Sequence, residues 1–183
     1  MAAPTNCPNC LADQPAFDFA TAALRKSESA LHLIHQFKLL RRPELGEDLA
    51  HLCAQRFHND QRLVELPAPL LIPIPLHGSR LRSRGFNQAL ELSKPLAREL
   101  GIPHLGALKR IRATDRQATL TRKQRLKNLN KAFQIRVSSK ELFNRDLILI
   151  DDVFTTGSTV HECARILRSV NPRTIAVLTV LRA

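Results

Sequence analysis

The sequence predicts an α/β protein: a mainly parallel sheet flanked by helices. Two observations carry that expectation. Strand-sized runs of branched apolar residues are separated by longer segments whose apolar residues recur at helical spacing. One such run, LILID, leads into two adjacent acids, a loop of small hydroxylated residues around a glycine, and then an amphipathic helix. Open parallel sheets present their ligand sites in that order, at strand carboxyl ends. At 183 residues the chain has the size of one domain with a small appendage, enough to bury a core without disulfides.

The elements follow in order. Residues up to about Phe19 make a short, proline-containing segment that carries CPNC. From Ser29 to Arg42, Leu31, Ile34, Phe37 and Leu40 recur at helical spacing. Pro43 suits a first helical position, and Leu45, Leu49, Leu52 and Ala54 or Phe57 continue a second helix. These two helices are expected to form a flank or lid rather than a site. PLLIPIP is too short and proline-punctuated for a helix and predicts a strand ending in a turn.

A Gly/Arg-rich loop comes next, then helical periodicity from Asn87 to Leu100, with Pro95 expected to kink it. Leu105 to Ile111 is a further candidate strand. The polar, basic stretch from Arg112 to Asn130 is a loop, a helix, or both in different states. LILID predicts a buried strand that stops at Asp151 and Asp152. Ser158 to Ser169 predicts an amphipathic helix, and Thr174 to Leu181 a last strand rich in Val, Ile and Thr. There is no internal repeat and no low-complexity tract.

Composition bounds the function. Hydrophobic residues at 44% and charged residues at 24% are ordinary for a globular chain and argue against bulk disorder. No apolar run reaches transmembrane length, so no membrane insertion is expected. MAAPTNCPNC lacks the basic start and apolar core of a signal peptide. With four cysteines, that predicts a reducing cytoplasmic setting, where close cysteine pairs bind metal more often than they form disulfides.

The net charge of +12 is not evenly spread. Leu76 to Arg136 holds 15 Lys/Arg against 3 Asp/Glu, while the remainder holds 13 of each. The whole excess therefore sits in one central third. Such a field favours a polyanion, either a phosphorylated small molecule or a nucleic acid. The plainer alternative is a solvated basic surface. With no Trp or Tyr and only scattered Phe, stacking platforms for single strands are not evident.

LILIDDVFTTGST, Leu147 to Thr159, is the most informative segment. A helix N-terminus offers unpaired amides and a positive dipole end, Gly157 admits close approach, and Thr155, Thr156, Ser158 and Thr159 add hydroxyl donors. Two acids beside such a phosphate nest make sense if the ligand also carries sugar hydroxyls, which carboxylates accept. An anion cradle with a hydroxyl-binding pair describes a ribose 5-phosphate. The plain alternative leaves Asp151 and Asp152 as caps and Gly157 as a turn residue.

The same segment resembles the phosphoribosyl pyrophosphate signature of type I phosphoribosyltransferases. LIPIPLHGSRLRSRGFNQ, the spacing of Gln117, Leu120, Arg125, Asn128 and Phe133, and IHQFKLLRRPEL resemble the ComF/GntX family, the competence-protein-F-like homologues of those enzymes. The resemblance runs from Cys7 to the C-terminus. It implies a type I phosphoribosyltransferase fold over residues 21–183 and a remnant of an N-terminal zinc-finger segment over residues 1–20.

By that resemblance Asp151 and Asp152 would take the ribose 2- and 3-hydroxyls, as the catalytic acids. Thr155, Thr156, Gly157, Ser158 and Thr159 would cradle the 5-phosphate. Arg80, Arg82 and Arg84 would be the anion ligands of the pyrophosphate loop. Arg112, Arg116, Arg122, Lys123 and Arg125 would belong to a flexible loop that closes over the site and shields the leaving group from water. Displacing pyrophosphate requires its charge to be neutralised by Mg²⁺ and by Arg or Lys. No catalytic dyad is evident. His77 is the nearest acid–base candidate, and a surface or supporting histidine is the favoured reading of it. The family also implies a second class of function: a competence protein handling single-stranded DNA, with other competence proteins as partners. A homodimer is compatible with either.

Cys7 and Cys10 have the spacing of half a zinc site, but zinc needs a full ligand set. His32 and His35 would complete it only if the first helix folded back on the N-terminus. Loss or truncation of the finger, leaving a free pair or one completed by another chain, is the favoured reading over zinc bound by this chain. Cys53 and Cys163 fit small buried residues. Asn87 fits an N-cap with Phe86 as its staple, set against ligand contact. Lys38, Arg41 and Arg42 fit cations at a helix C-terminus rather than a binding role.

Overall fold

The computed structural model describes residues 14–40, 42–113, 129 and 131–183. Along them run β1 (Phe19–Arg25), α1 (Glu28–Leu39), α2 (Leu45–His58), α3 (Gln61–Val64), β2 (Leu70–Pro73), α4 (Gly78–Arg84) and α5 (Gln88–Leu100). After these come β3 (Leu108–Arg110), β4 (Phe133–Ile135), β5 (Asp146–Phe154), α6 (Ser158–Leu167) and β6 (Thr174–Arg182). Four strands form one parallel sheet in the order β1-β6-β5-β2. β3 and β4 form a separate antiparallel pair.

β5 and β6 lie at the centre, and their apolar runs are buried on both faces, as parallel strands require. Successive side chains go to opposite faces. Leu147 and Leu149 pack with Phe133, Cys163 and Leu167 under α6 and the β3–β4 pair. Ile148 and Ile150 pack with Phe37, Leu49, Leu92 and Leu96 under α1, α2 and α5. The predicted fold class is present.

β2 is an edge strand, which explains how Pro73, with no N–H to donate, is accommodated. Its outer side is partly covered: Leu71 N–H donates to Pro103 O at 3.0 Å, and Leu105 N–H donates to Leu71 O at 2.9 Å.

α5 runs unbroken through Pro95, where a kink was expected. Pro95 leaves the Glu91 carbonyl without its usual donor four residues on. Gly46 of α2 packs against that same carbonyl, where a Cβ would stand 2.8 Å from the Glu91 oxygen. The two helices therefore meet closely at the point where the ladder has a gap.

Several boundaries differ from expectation. β1 was not predicted, because FATAALR is dominated by small residues and becomes a strand by pairing with β6. It starts at Phe19, and Phe17 already belongs to the core, so the body of the fold reaches back to there. α2 begins at Leu45; Pro43 sits in the preceding turn, its carbonyl accepting from Gly46 N–H at 2.9 Å. β5 does not stop at the acids but carries them within the strand to Phe154. The Gly/Arg-rich stretch is the short helix α4, not a loop.

β1 is held to the helices through Asp60, which is 5% exposed. Its carboxylate accepts from Arg62 at 2.8 and 2.9 Å and from Arg56 at 3.0 Å. Arg56 Nε donates to Thr21 Oγ1 at 2.6 Å, and Arg62 lies 4.6 Å from the centre of the Phe19 ring. The hydrogen-bonded Arg62, helped by Thr21 and Arg56, pulls the Asp60 carboxyl down to about 2 against the opposing effect of burial. No helix among the described residues is long and apolar enough to cross a membrane.

Candidate functional site

The carboxyl ends of β2 and β5 lie side by side. Pro73 pairs with Ile150, and Ile74 N–H donates to Ile150 O at 3.0 Å. The chain leaving β2 therefore sets out from beside Ile150, the residue before Asp151, and starts α4 four residues on. Asn87 closes that excursion: its Nδ2 donates to Ile74 O at 3.1 Å while its Oδ1 caps α5 by accepting from Ala89 N–H at 3.2 Å. Asn87 is thus the expected N-cap. Phe86 packs on Phe37 of α1, ring centroids 5.6 Å apart, rather than as a staple within its own helix. His77 caps α4, its Nδ1 lying 2.8 Å from Ser79 Oγ.

After β5 the chain turns through Gly157, in the left-handed region at φ 72°, into α6. A Cβ there would stand 2.8 Å from the Phe154 ring. Both the backbone angle and the space therefore call for glycine. Thr156 Oγ1 and Ser158 Oγ are 3.0 Å apart at the mouth of α6. Ser158 is buried, Thr156 and Thr159 are half-buried, and Thr155 is exposed. The predicted cradle is thus one continuous turn at a helix N-terminus.

The two acids have different surroundings. Asp152 is 4% exposed, and its Oδ2 lies 2.7 Å from Lys38 Nζ of α1. Asp151 is half-buried, and its Oδ1 accepts from Asp152 N–H at 2.9 Å. Burial pushes the Asp151 carboxyl up to about 6, although Lys38, Arg110 and Arg84 all pull it down.

Arg110, at the end of β3, lies over the Phe133 ring at 5.2 Å. Burial first, and then the nearby charge of Arg80, lower the Arg110 guanidinium to about 10, while Cys163 and Asp151 oppose them. Arg84 Nη1 donates to Gln88 Oε1 at 3.0 Å. Lys38, Arg84 and Arg110 thus act on the two carboxylates, and Arg80 acts on Arg110, an excess of positive charge that fits an anionic ligand.

Of the predicted site residues, the structure brings together Asp151, Asp152, the 155–159 turn and Arg84, while Arg80 reaches the group through Arg110. Arg82 is exposed on α4, and Arg112 is exposed just beyond β3. Arg116, Arg122, Lys123 and Arg125, with Cys7 and Cys10, lie outside the described residues. Among the described residues no group of three or more His, Cys, Asp or Glu side chains could hold a metal. His32 pairs with Gln36 on an exposed face of α1.

Residues 87–183, from the cap of α5 to the end of the chain, match the phosphoribosyl transferase domain family. Over 97% of this chain, and 79% of the other, it is 37% identical to competence protein F of Haemophilus influenzae. The chain belongs to the ComF family.

A second ComF relative, the DNA utilization protein YhgH of Salmonella typhi, is 34% identical over 96% of this chain and 77% of its own. Competence protein ComFC of Bacillus subtilis is 35% identical over 62% of this chain and 45% of its own. The ComF fold here is the phosphoribosyltransferase type.

Two site residues escaped the sequence. Lys38 carries a helix-end signal that hides its contact with Asp152. Arg110 lies in a weak three-residue strand with no motif of its own. Cys53 and Cys163 are buried thiols, as expected, and burial raises both.

Proposed function

We propose that this ComF chain binds phosphoribosyl pyrophosphate and transfers its phosphoribosyl group to an acceptor, with Mg²⁺ and loss of pyrophosphate. The observation that carries the reading is the set of cations at the acids of β5, on the strand that leads into the Gly157 turn. Lys38 acts on Asp152, Lys38, Arg84 and Arg110 act on Asp151, and Arg80 acts on Arg110. A phosphate, two hydroxyls and a diphosphate would each find partners there.

The α6 amides with Thr155, Thr156, Ser158 and Thr159 would hold the 5-phosphate. Asp151 and Asp152 would accept from the ribose hydroxyls and fix the ring. Arg80 and Arg84, with Arg82 from the outer face of α4, would take the diphosphate. The bond from the anomeric carbon to the diphosphate oxygen breaks, that oxygen keeps the electron pair, and the acceptor's lone pair forms the new bond. The carboxylates would stabilise the oxocarbenium-like carbon, and the arginines the departing charge. Mg²⁺ would neutralise the diphosphate further. A hard cation takes oxygen ligands, and the half-buried carboxylate of Asp151 is such a donor. Arg112, Arg116, Arg122, Lys123 and Arg125 would shield the leaving group, and the residues before Phe17, with Cys7 and Cys10, would be the remnant of a zinc segment. In the double variant Asp151→Asn/Asp152→Asn, binding and turnover should vanish together; intact turnover would sink the reading.

One observation favours a second reading, a DNA-uptake protein that binds single strands: the whole excess of charge lies in residues 76–136. Two relatives bear names referring to competence and one to DNA utilization. A strand-binding groove would lose affinity steeply with salt, through counterion release. A flat salt dependence would count against it.

A further inference from the structure

Lys38 Nζ stands 2.7 Å from Asp152 Oδ2, so that oxygen is not open to a ribose hydroxyl. Neither partner is loosely placed: the Lys38 side chain is 21% exposed and that of Asp152 is 6%. The lysine is delivered by packing. Phe37, fully buried, lies against Phe86, and Phe86 precedes the Asn87 that ties the α4 excursion to Ile74. The end of α1 is thereby fixed beside Asp152 and beside Phe86, two residues past α4.

Two guanidinium groups near the acids are held by neighbours outside them. Arg84 is bonded to Gln88, and Arg110 is stacked on Phe133. Lys38 is a compact charge on a flexible four-carbon stem, so it can exchange one anionic partner for another by rotating its side chain.

We propose that Lys38 is a switching counter-ion. It pairs with Asp152, gives way to the ribose hydroxyls as the ligand enters, and then pairs with the diphosphate of the same ligand. This inference rests on the phosphoribosyl pyrophosphate reading of the site and adds a residue from outside the signature. It makes ribose capture and diphosphate capture interdependent. A ribose 5-phosphate without the diphosphate would have to break the pair and would offer the lysine nothing in return. The site would therefore discriminate against the hydrolysed ligand.

The test compares two ligands, phosphoribosyl pyrophosphate and ribose 5-phosphate, titrated by calorimetry into wild type and Lys38→Met. The variant should bind phosphoribosyl pyrophosphate about tenfold or more weakly, the scale of one lost charge-assisted contact. Its affinity for ribose 5-phosphate should hold or rise, because Asp152 is no longer guarded. Equal factors for both ligands, or no change in either, would overturn the proposal. Should Lys38→Met fail to fold, Lys38→Gln is measured with the same ratio. If wild type itself binds neither ligand, the reading of the site has failed, and the switch fails with it.

Discussion

Gly157 and Phe154 fit together only because Gly157 has no side chain: a Cβ would stand 2.8 Å from the Phe154 ring. The ring is held from two other sides, edge-on to Phe17 at 6.0 Å and beneath Arg182 at 5.2 Å. It has little room to give. Gly157→Ala would therefore meet both a clash and a left-handed backbone angle. The expected cost is about 1–3 kcal/mol of stability, with loss of phosphate-ester binding. The double variant Gly157→Ala/Phe154→Leu should recover part of the stability but not the binding, as read by thermal melts and calorimetry. Full stability in the single variant would contradict the account.

Asp151 should make the free protein less stable as pH rises. Its folded carboxyl titrates at about 6, above its ordinary 3.8, so the folded state holds the proton more tightly. Stability from that proton is fully present below about pH 4 and is lost as pH climbs through about 6. Asp151→Asn should stabilise the protein at pH 7.5 by about 1–3 kcal/mol, with no gain at pH 4. A variant equally or less stable at pH 7.5 would show that burial does not dominate there.

The same titration should govern ligand affinity. The ionised carboxylate offers both oxygens as acceptors, whereas protonation turns one of them into a donor. Binding of phosphoribosyl pyrophosphate should weaken as pH falls through about 6, more steeply in wild type than in Asp151→Asn. Parallel pH profiles for the two proteins would assign the step to the ligand's own phosphates.

Asp60 works in the opposite sense. Its carboxyl is held down at about 2, so its stabilisation is present above about pH 4 and disappears as pH falls towards 2. Asp60→Asn should cost about 1–3 kcal/mol at pH 7 and should flatten acid unfolding over that window. Since Asp60 organises Arg56, Thr21 and Arg62, the loss should appear first as faster amide exchange in β1.

How much of this was legible in the sequence follows from where the information is local. LILIDDVFTTGST announces its strand, turn and helix within thirteen residues, because strand period, acid pair and glycine are all near-neighbour features. β1 could not be found that way: its strand state comes from pairing with β6, more than a hundred residues on. α4 read as a loop because GSRLRSR has no apolar face to bury, and none of its residues is buried. Lys38 was hidden for the same reason as β1. Its helix-end position is a sufficient local explanation, and its contact with Asp152 exists only once α1 packs on Phe86.

Glu162 shows a further long-range tie. This buried carboxylate pairs with Arg165 at 2.8 Å and accepts from Lys131 N–H at 3.0 Å, where the chain enters β4 at φ 57°. Glu162→Ala should destabilise by about 1–3 kcal/mol and accelerate amide exchange at Lys131. Unchanged exchange there would mean the backbone finds another acceptor.

The central claim is that the acids of β5 and the turn of α6 form a working ribose-phosphate site. The most direct measurement is a calorimetric titration of the purified chain with phosphoribosyl pyrophosphate, with and without Mg²⁺, beside Asp151→Asn/Asp152→Asn. The account predicts Mg²⁺-dependent binding that the double variant loses. No binding in either condition would contradict it, and would leave single-stranded DNA as the ligand to test.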